Sequence, residues 1–172
     1  QGTIVQPPSS WNLFDTDILR WLLERKFSLT LLRQFSELRV AIEPAAAALA
    51  AAKADASGRR LIEDGFARMA AAERGDDDVL EADIAFHIAI LEASGNPFYV
   101  QFRDVVETAL RTSIRFTNRF KGHSASLGAH QAVRDAIIKG KAETARKSME
   151  AIIREVMALI DEAEASEGGA PE

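Results

Sequence analysis

The 172-residue chain contains no cysteine, which excludes a disulfide framework and any thiolate metal site. Long apolar runs are also missing. The longest uncharged one, Ala45 to Ala52, falls far short of the ~20 residues that a membrane span needs. The opening Gln1-Gly2-Thr3 lacks the basic-then-apolar layout of a signal peptide, so a soluble, cytoplasmic chain is expected. Basic charge is in the minority, 21 Lys and Arg against 26 Asp and Glu, for a net charge of −5. Nucleic-acid affinity rests largely on Lys and Arg neutralising phosphates, and here the only charge block is acidic, Asp76-Asp77-Asp78. The chain as it stands is a poor DNA binder. Strand signals are confined to Thr3-Ile4-Val5, which Pro7-Pro8 ends.

What remains is helical. From about residue 12 onward the spacing of apolar residues predicts seven helices in one domain. They cover about 12–26 (Ser10 as N-cap), 28–54, 57–74, 76–94, 97–121, 124–139 and 142–165, with residues 166–172 a disordered tail. Pro44 is expected to break or kink the second helix after Glu43, because proline removes a donor and clashes one turn back. Gly75, Gly95-Asn96-Pro97, Gly122 and Gly140 punctuate the later helices. Short links favour antiparallel neighbours, so the fold class is an all-α antiparallel bundle.

Four ionisable side chains fall where apolar ones belong. Asp83 and His87, four residues apart, sit in the middle of the arc formed by Val79, Leu80, Ile84, Phe86, Ile90 and Leu91. His130 sits among Leu127, Val133 and Ile137, and Arg39 interrupts the stripe of Leu31, Phe35, Leu38, Ile42 and Leu49. A buried ion without a partner is penalised by several kcal/mol. These groups therefore need one another, a metal or a ligand. Two imidazoles and a carboxylate suit Zn²⁺ or Ni²⁺ and leave coordination positions open, while a fixed guanidinium offers a fork for a carboxylate. Bland readings compete: a satisfied core histidine, an ordinary Asp/His helix pair, and an Arg39 that pairs with Glu43 or Asp83. His123 reads as solvated. On residues alone, a metal site and a satisfied polar network both stand.

The strings Glu37-Leu38-Arg39-Val40-Ala41-Ile42-Glu43-Pro44-Ala45-Ala46-Ala47, Asp83-Ile84-Ala85-Phe86-His87 and Leu91-Glu92-Ala93-Ser94-Gly95-Asn96-Pro97 resemble the FCD domain. His130-x-x-Val133-x-x-Ala136-Ile137, Gly140, Ala145 and Met149 continue the resemblance, which covers about Ser28 to Asp161. That domain is the effector-binding and dimerisation module of the FadR subfamily of GntR-type bacterial transcription regulators. The stretch Trp11-Asn12-Leu13-Phe14-Asp15-x-Asp17-Ile18-Leu19-x-Trp21 looks like the linker helix of the sugar-acid, galactonate-type branch, and Gly2-Thr3-Ile4-Val5-x-Pro7 like the tail of a winged-helix wing. Residues 1–8 are thus expected to be a remnant of that wing and linker, with an N-terminal DNA-binding domain missing upstream.

The resemblance implies an effector pocket at the bundle centre, a divalent metal held by Asp83, His87 and His130, and a small organic acid completing its coordination. It also implies Arg39 as carboxylate clamp, Ser113 and, more weakly, Arg115 as effector contacts, a homodimer, an operator bound through the winged-helix domain, and no membrane. A fourth metal ligand in the family falls at Ile152, which lies on an apolar arc with Met149, Val156 and Leu159 and reads as core. The expected function is sensing without catalysis. One rival is a helical metallo-hydrolase, for which paired Glu-x-x-His motifs are absent. Another is a structural dimerisation module with an internal polar network, whose signature would be Asp83 paired to Arg39.

Overall fold

A computed structural model describes residues 7, 10–25, 28–121 and 126–167, all but 23–25, 118–121 and 167 with their side chains. The described residues form eight helices and no strand: α1 (Thr16–Arg25), α2 (Leu29–Lys53), α3 (Ala56–Glu73), α4 (Val79–Ala93), α5 (Pro97–Val100), α6 (Arg103–Lys121), α7 (Leu127–Ile138) and α8 (Ala142–Glu167). None of them is long and apolar enough to cross a membrane. The all-α bundle is as expected.

The eighth helix comes from a division of the stretch read as one helix from residue 97. Asn96 caps α5 by accepting from the Phe98 amide, and a three-residue bond from the Phe102 amide to the Tyr99 carbonyl (3.0 Å) tightens and ends that turn. No α5 residue is buried, whereas Val105, Val106, Ala109 and Leu110 of α6 are. α5 meets the core through the half-buried Tyr99, and so little burial does not hold it in line with α6.

Of the break or kink expected at Pro44, the break does not occur. The helix runs through it for 25 residues. Proline in a helix interior costs about 3 kcal/mol, and packing outweighs propensity for a helix placed like this one. Ile42, Ala46, Ala47, Ala50 and Ala51, on both sides of the proline, are all buried in the main core. The small side chains let α2 pack closely on α8 and α4, while α3 packs on α4 and α7 on α8.

Other boundaries shift for local reasons. Asp15, not Ser10, caps α1: its Oδ1 accepts from the Asp17 and Ile18 amides. Of the three aspartates before α4, only Asp78 caps it, accepting from the Glu81 amide; Asp76 and Asp77 pair with Arg74 and Arg68. Helix α8 extends past the expected end at Ala165, with the Ser166 hydroxyl donating to the Glu162 carbonyl (2.9 Å), so the tail reading fails for residue 166. Residues 168–172, the strand signals at 3–5, the wing remnant apart from Pro7, and His123 lie outside the described residues.

Helices α3 and α4 touch backbone to backbone at Gly65. A Cβ there would stand 2.9 Å from the Phe86 Cα and 3.2 Å from its nitrogen. Gly65→Ala is therefore expected to destabilise the fold by about 1–3 kcal/mol, even though alanine favours helix by ~1 kcal/mol. Gly128→Ala, where the new Cβ would stand 3.9 Å from the Ser126 hydroxyl, should be neutral or stabilising. Urea denaturation of the two variants measures the contrast.

Candidate metal centre

Helix α4 brings Asp83 and His87 inward one turn apart, and α7 brings His130 to meet them. All three are at least 97% buried. The Asp83 Oδ1 lies 3.3 Å from His87 Nε2 and 3.3 Å from His130 Nε2, and the two nitrogens are 3.3 Å apart. The three atoms form an equilateral triangle. Donor atoms around a tetrahedral zinc at ~2.0–2.1 Å stand roughly 3.3 Å from one another, so the spacing is that of one face of a coordination shell.

The other ring nitrogens decide what the triangle can hold. His130 Nδ1 is 2.9 Å from the Ser126 carbonyl oxygen, which can only accept, so Nδ1 carries the proton. His87 Nδ1 is 2.6 Å from Glu43 Oε2, an ionised carboxylate that also only accepts. A neutral imidazole with its proton on Nδ1 presents a lone pair at Nε2. Two lone pairs and a carboxylate oxygen then converge. Asp83 Oδ1 is also the buried side-chain atom, among the described residues, left with no hydrogen bond. Three acceptor atoms facing one another in a dry interior need a proton or a metal cation among them. These residues fit a divalent metal.

The same groups have displaced ionisation. Burial is the largest influence on Asp83 and raises its pKa, but His130 and His87 together outweigh it and hold the carboxyl well below the usual range. Burial lowers His87, yet Glu43 and Asp83 push it up to about 9. Burial raises Glu43, and the charges of Arg39 and His87 bring it down to about 2.

Glu43, also buried, was the residue that sequence reasoning left at the margin. It joins the metal triangle to Arg39, whose Nε donates to Glu43 Oε1 (2.6 Å) and whose Nη2 donates to Oε2 (3.4 Å). A signal existed in the sequence. Glu43 lies four residues after Arg39, in phase with Phe35, Arg39, Ile42 and Ala46. Arg39 is not paired with Asp83. Its Nη1 reaches the Ser113 hydroxyl of α6 at 3.5 Å, so Ser113 faces Arg39 in the interior. Arg115, by contrast, is exposed and lines a cleft of about 210 Å³ between α1 and α6 with Thr16, Arg20 and Arg111. Two residues beyond Ser113 on a helix, it is turned about 200° away, and it does not join the cluster. Ile152 is half-buried and packs against the main core, as its apolar arc predicts.

Comparison with known proteins identifies the family. The family model of the FCD domain matches residues 34–155. The chain is 32% identical over 155 residues to the uncharacterized HTH-type transcriptional regulator YieP of Escherichia coli (strain K12), covering 89% of this chain and 66% of that protein. It is 34% identical over 141 residues to the galactonate operon transcriptional repressor of the same organism, covering 80% of this chain and 61% of the repressor. The chain thus spans about two thirds of the length of these relatives, both of them transcriptional regulators rather than enzymes. In structure it is similar to a Streptococcus agalactiae GntR chain, with a TM-score of 0.58 and 22% identity over 86% of this chain and 60% of that one, a likeness of fold. The chain belongs to the FCD domain family, the helical domain of GntR-family transcriptional regulators.

Proposed function

We propose that this domain senses a small organic acid, with a divalent metal at Asp83, His87 and His130 and with Arg39 and Ser113 gripping the acid. The observation that carries the reading is the triangle of three buried acceptor atoms, each pair 3.3 Å apart, with Asp83 Oδ1 unpartnered. A bound Zn²⁺ or Ni²⁺ would supply positive charge and open coordination positions for an acid oxygen. The chain's own residues do the rest. Glu43 and the Ser126 carbonyl hold the two imidazoles in register. Arg39 has five N–H bonds, and only three have partners among the described residues, so its Nη1 edge remains able to take a carboxylate. The galactonate repressor among the relatives favours a sugar acid as the ligand.

A route from the pocket to α1 is also present. Ser113 lies one turn from Ala109, which packs with Val105, Phe35 and Leu19, and Leu19 belongs to α1. An acid held between Arg39 on α2 and Ser113 on α6 would alter how α6 sits against α1. A differential affinity of five- to 150-fold between two arrangements needs only about 1–3 kcal/mol. In the full regulator we read this as a change in how two copies of the chain present a DNA-binding domain to an operator, the chain itself dimerising through its bundle. The Arg39–Glu43 pair is one of the two bland pairings open to Arg39, and the Asp83–Arg39 pairing expected of a purely structural module is not seen.

Calorimetric titration of zinc-loaded protein with aldonic acids tests the reading. Arg39→Lys keeps the positive charge but loses the fork, and should weaken binding roughly 10–150-fold, the equivalent of about 1.5–3 kcal/mol for a hydrogen bond to a charged group. Equal affinities for wild type and Arg39→Lys would remove Arg39 from the site.

A further inference from the structure

We propose that Glu43 is a positioning residue for the metal centre: its carboxylate fixes His87 as an Nε2 ligand and ties the orientation of Arg39 to the same imidazole. The proposal rests on reading Asp83, His87 and His130 as metal ligands, and adds a fourth residue that touches no metal itself. Three observations support it. Glu43 Oε2 takes the His87 Nδ1 proton at 2.6 Å, and Oε1 takes the Arg39 Nε proton at 2.6 Å. The carboxylate is 99% buried, so water does not compete for either bond. The two histidines are oriented by different means, His87 by a charged side chain and His130 by the Ser126 backbone carbonyl. A carboxylate behind a ligating imidazole sets its tautomer and raises its basicity. Here that same carboxylate also steers the guanidinium, which makes the metal ligand and the anion clamp mechanically one unit.

The asymmetry between the histidines supplies an internal control. Glu43→Gln retains the shape but offers an amide in place of the carboxylate, while His130 keeps its carbonyl partner. The probes are zinc alone, measured by calorimetry, and ¹¹³Cd alone with ¹⁵N-labelled imidazoles, in which cadmium–nitrogen coupling identifies the ligating atom. In the wild type, coupling is expected at Nε2 of both histidines, with a slowly exchanging His87 Nδ1 proton. In Glu43→Gln, zinc affinity should fall 10–100-fold, and the His87 Nδ1 proton should lose its protection while the His130 signals stay in place. Wild type and Glu43→Gln that bind zinc equally, with an unchanged His87 Nδ1 proton, would overturn the role of Glu43 and leave the metal site standing. A wild type that binds neither ion would overturn the metal-site reading itself. Should the variant fail to fold, the wild-type spectrum decides: coupling at His87 Nδ1, or no protected Nδ1 proton, overturns the proposal.

Discussion

Glu43→Ala should cost about 3–5 kcal/mol of stability, because it leaves the Arg39 guanidinium in the core without its counter-ion. For a chain of this length that loss corresponds to a melting temperature lower by roughly 6–20 °C. Arg39 is 98% buried, and its other side-chain contact is a 3.5 Å approach to Ser113, too long to offset the lost carboxylate. The His87 Nδ1–H would lose its acceptor in the same step. The effect has a defined pH window in metal-free protein. The Glu43 pKa is depressed, to about 2, so its contribution is complete above the ordinary carboxylate value and fades as pH falls from about 4.5 toward 2. The His87 pKa is raised, to about 9, so its contribution is complete below about 6.5 and fades as pH rises through 9. Wild type and variant should therefore differ most between about pH 4.5 and 6.5. Urea midpoints from about pH 4 to 9 measure the difference, and a gap that stays constant throughout would contradict the network.

Zinc at a hundredfold excess over its dissociation constant should stabilise the wild type by about 2.7 kcal/mol, a rise of roughly 5–10 °C in the melting temperature. The physical source is the convergence of Asp83 Oδ1 with two imidazole nitrogens at 3.3 Å, which a divalent cation between the three atoms satisfies together. Asp83→Ala removes one of three protein ligands. If structural zinc binding of about 10–16 kcal/mol is shared among four ligands, each is worth ~3–4 kcal/mol, so affinity should drop on the order of 10²–10³-fold. At the same zinc concentration the thermal shift should vanish. A shift of equal size in Asp83→Ala would place the metal elsewhere on the molecule.

Much of this was legible before any coordinates. Asp83, His87 and His130 stood out because each sits at the centre of an apolar arc, and periodicity reports which way a side chain faces. The all-helical class followed from the same periodicity, and several helix ends from local chemistry such as Gly140 in a left-handed turn at φ +67. Pro44 and residues 97–121 went otherwise. Local rules predict a break at a proline and continuity through an apolar stretch. Burial on both sides of Pro44 outweighed the first, and the slight burial of α5, none of whose residues is fully buried, defeated the second.

Inward direction is thus a property of the sequence, since it depends only on a residue's phase along its own helix. Partnership is not. Whether Arg39 meets Glu43 or Asp83, whether the two Nε2 atoms and Asp83 Oδ1 close to 3.3 Å, and whether Arg115 joins them or faces a cleft beside α1 all depend on how helices separated by 40 residues or more cross. That crossing is set by the packing of α2, α4, α6 and α7 together, and a buried charge takes whichever opposite charge the packing leaves within reach.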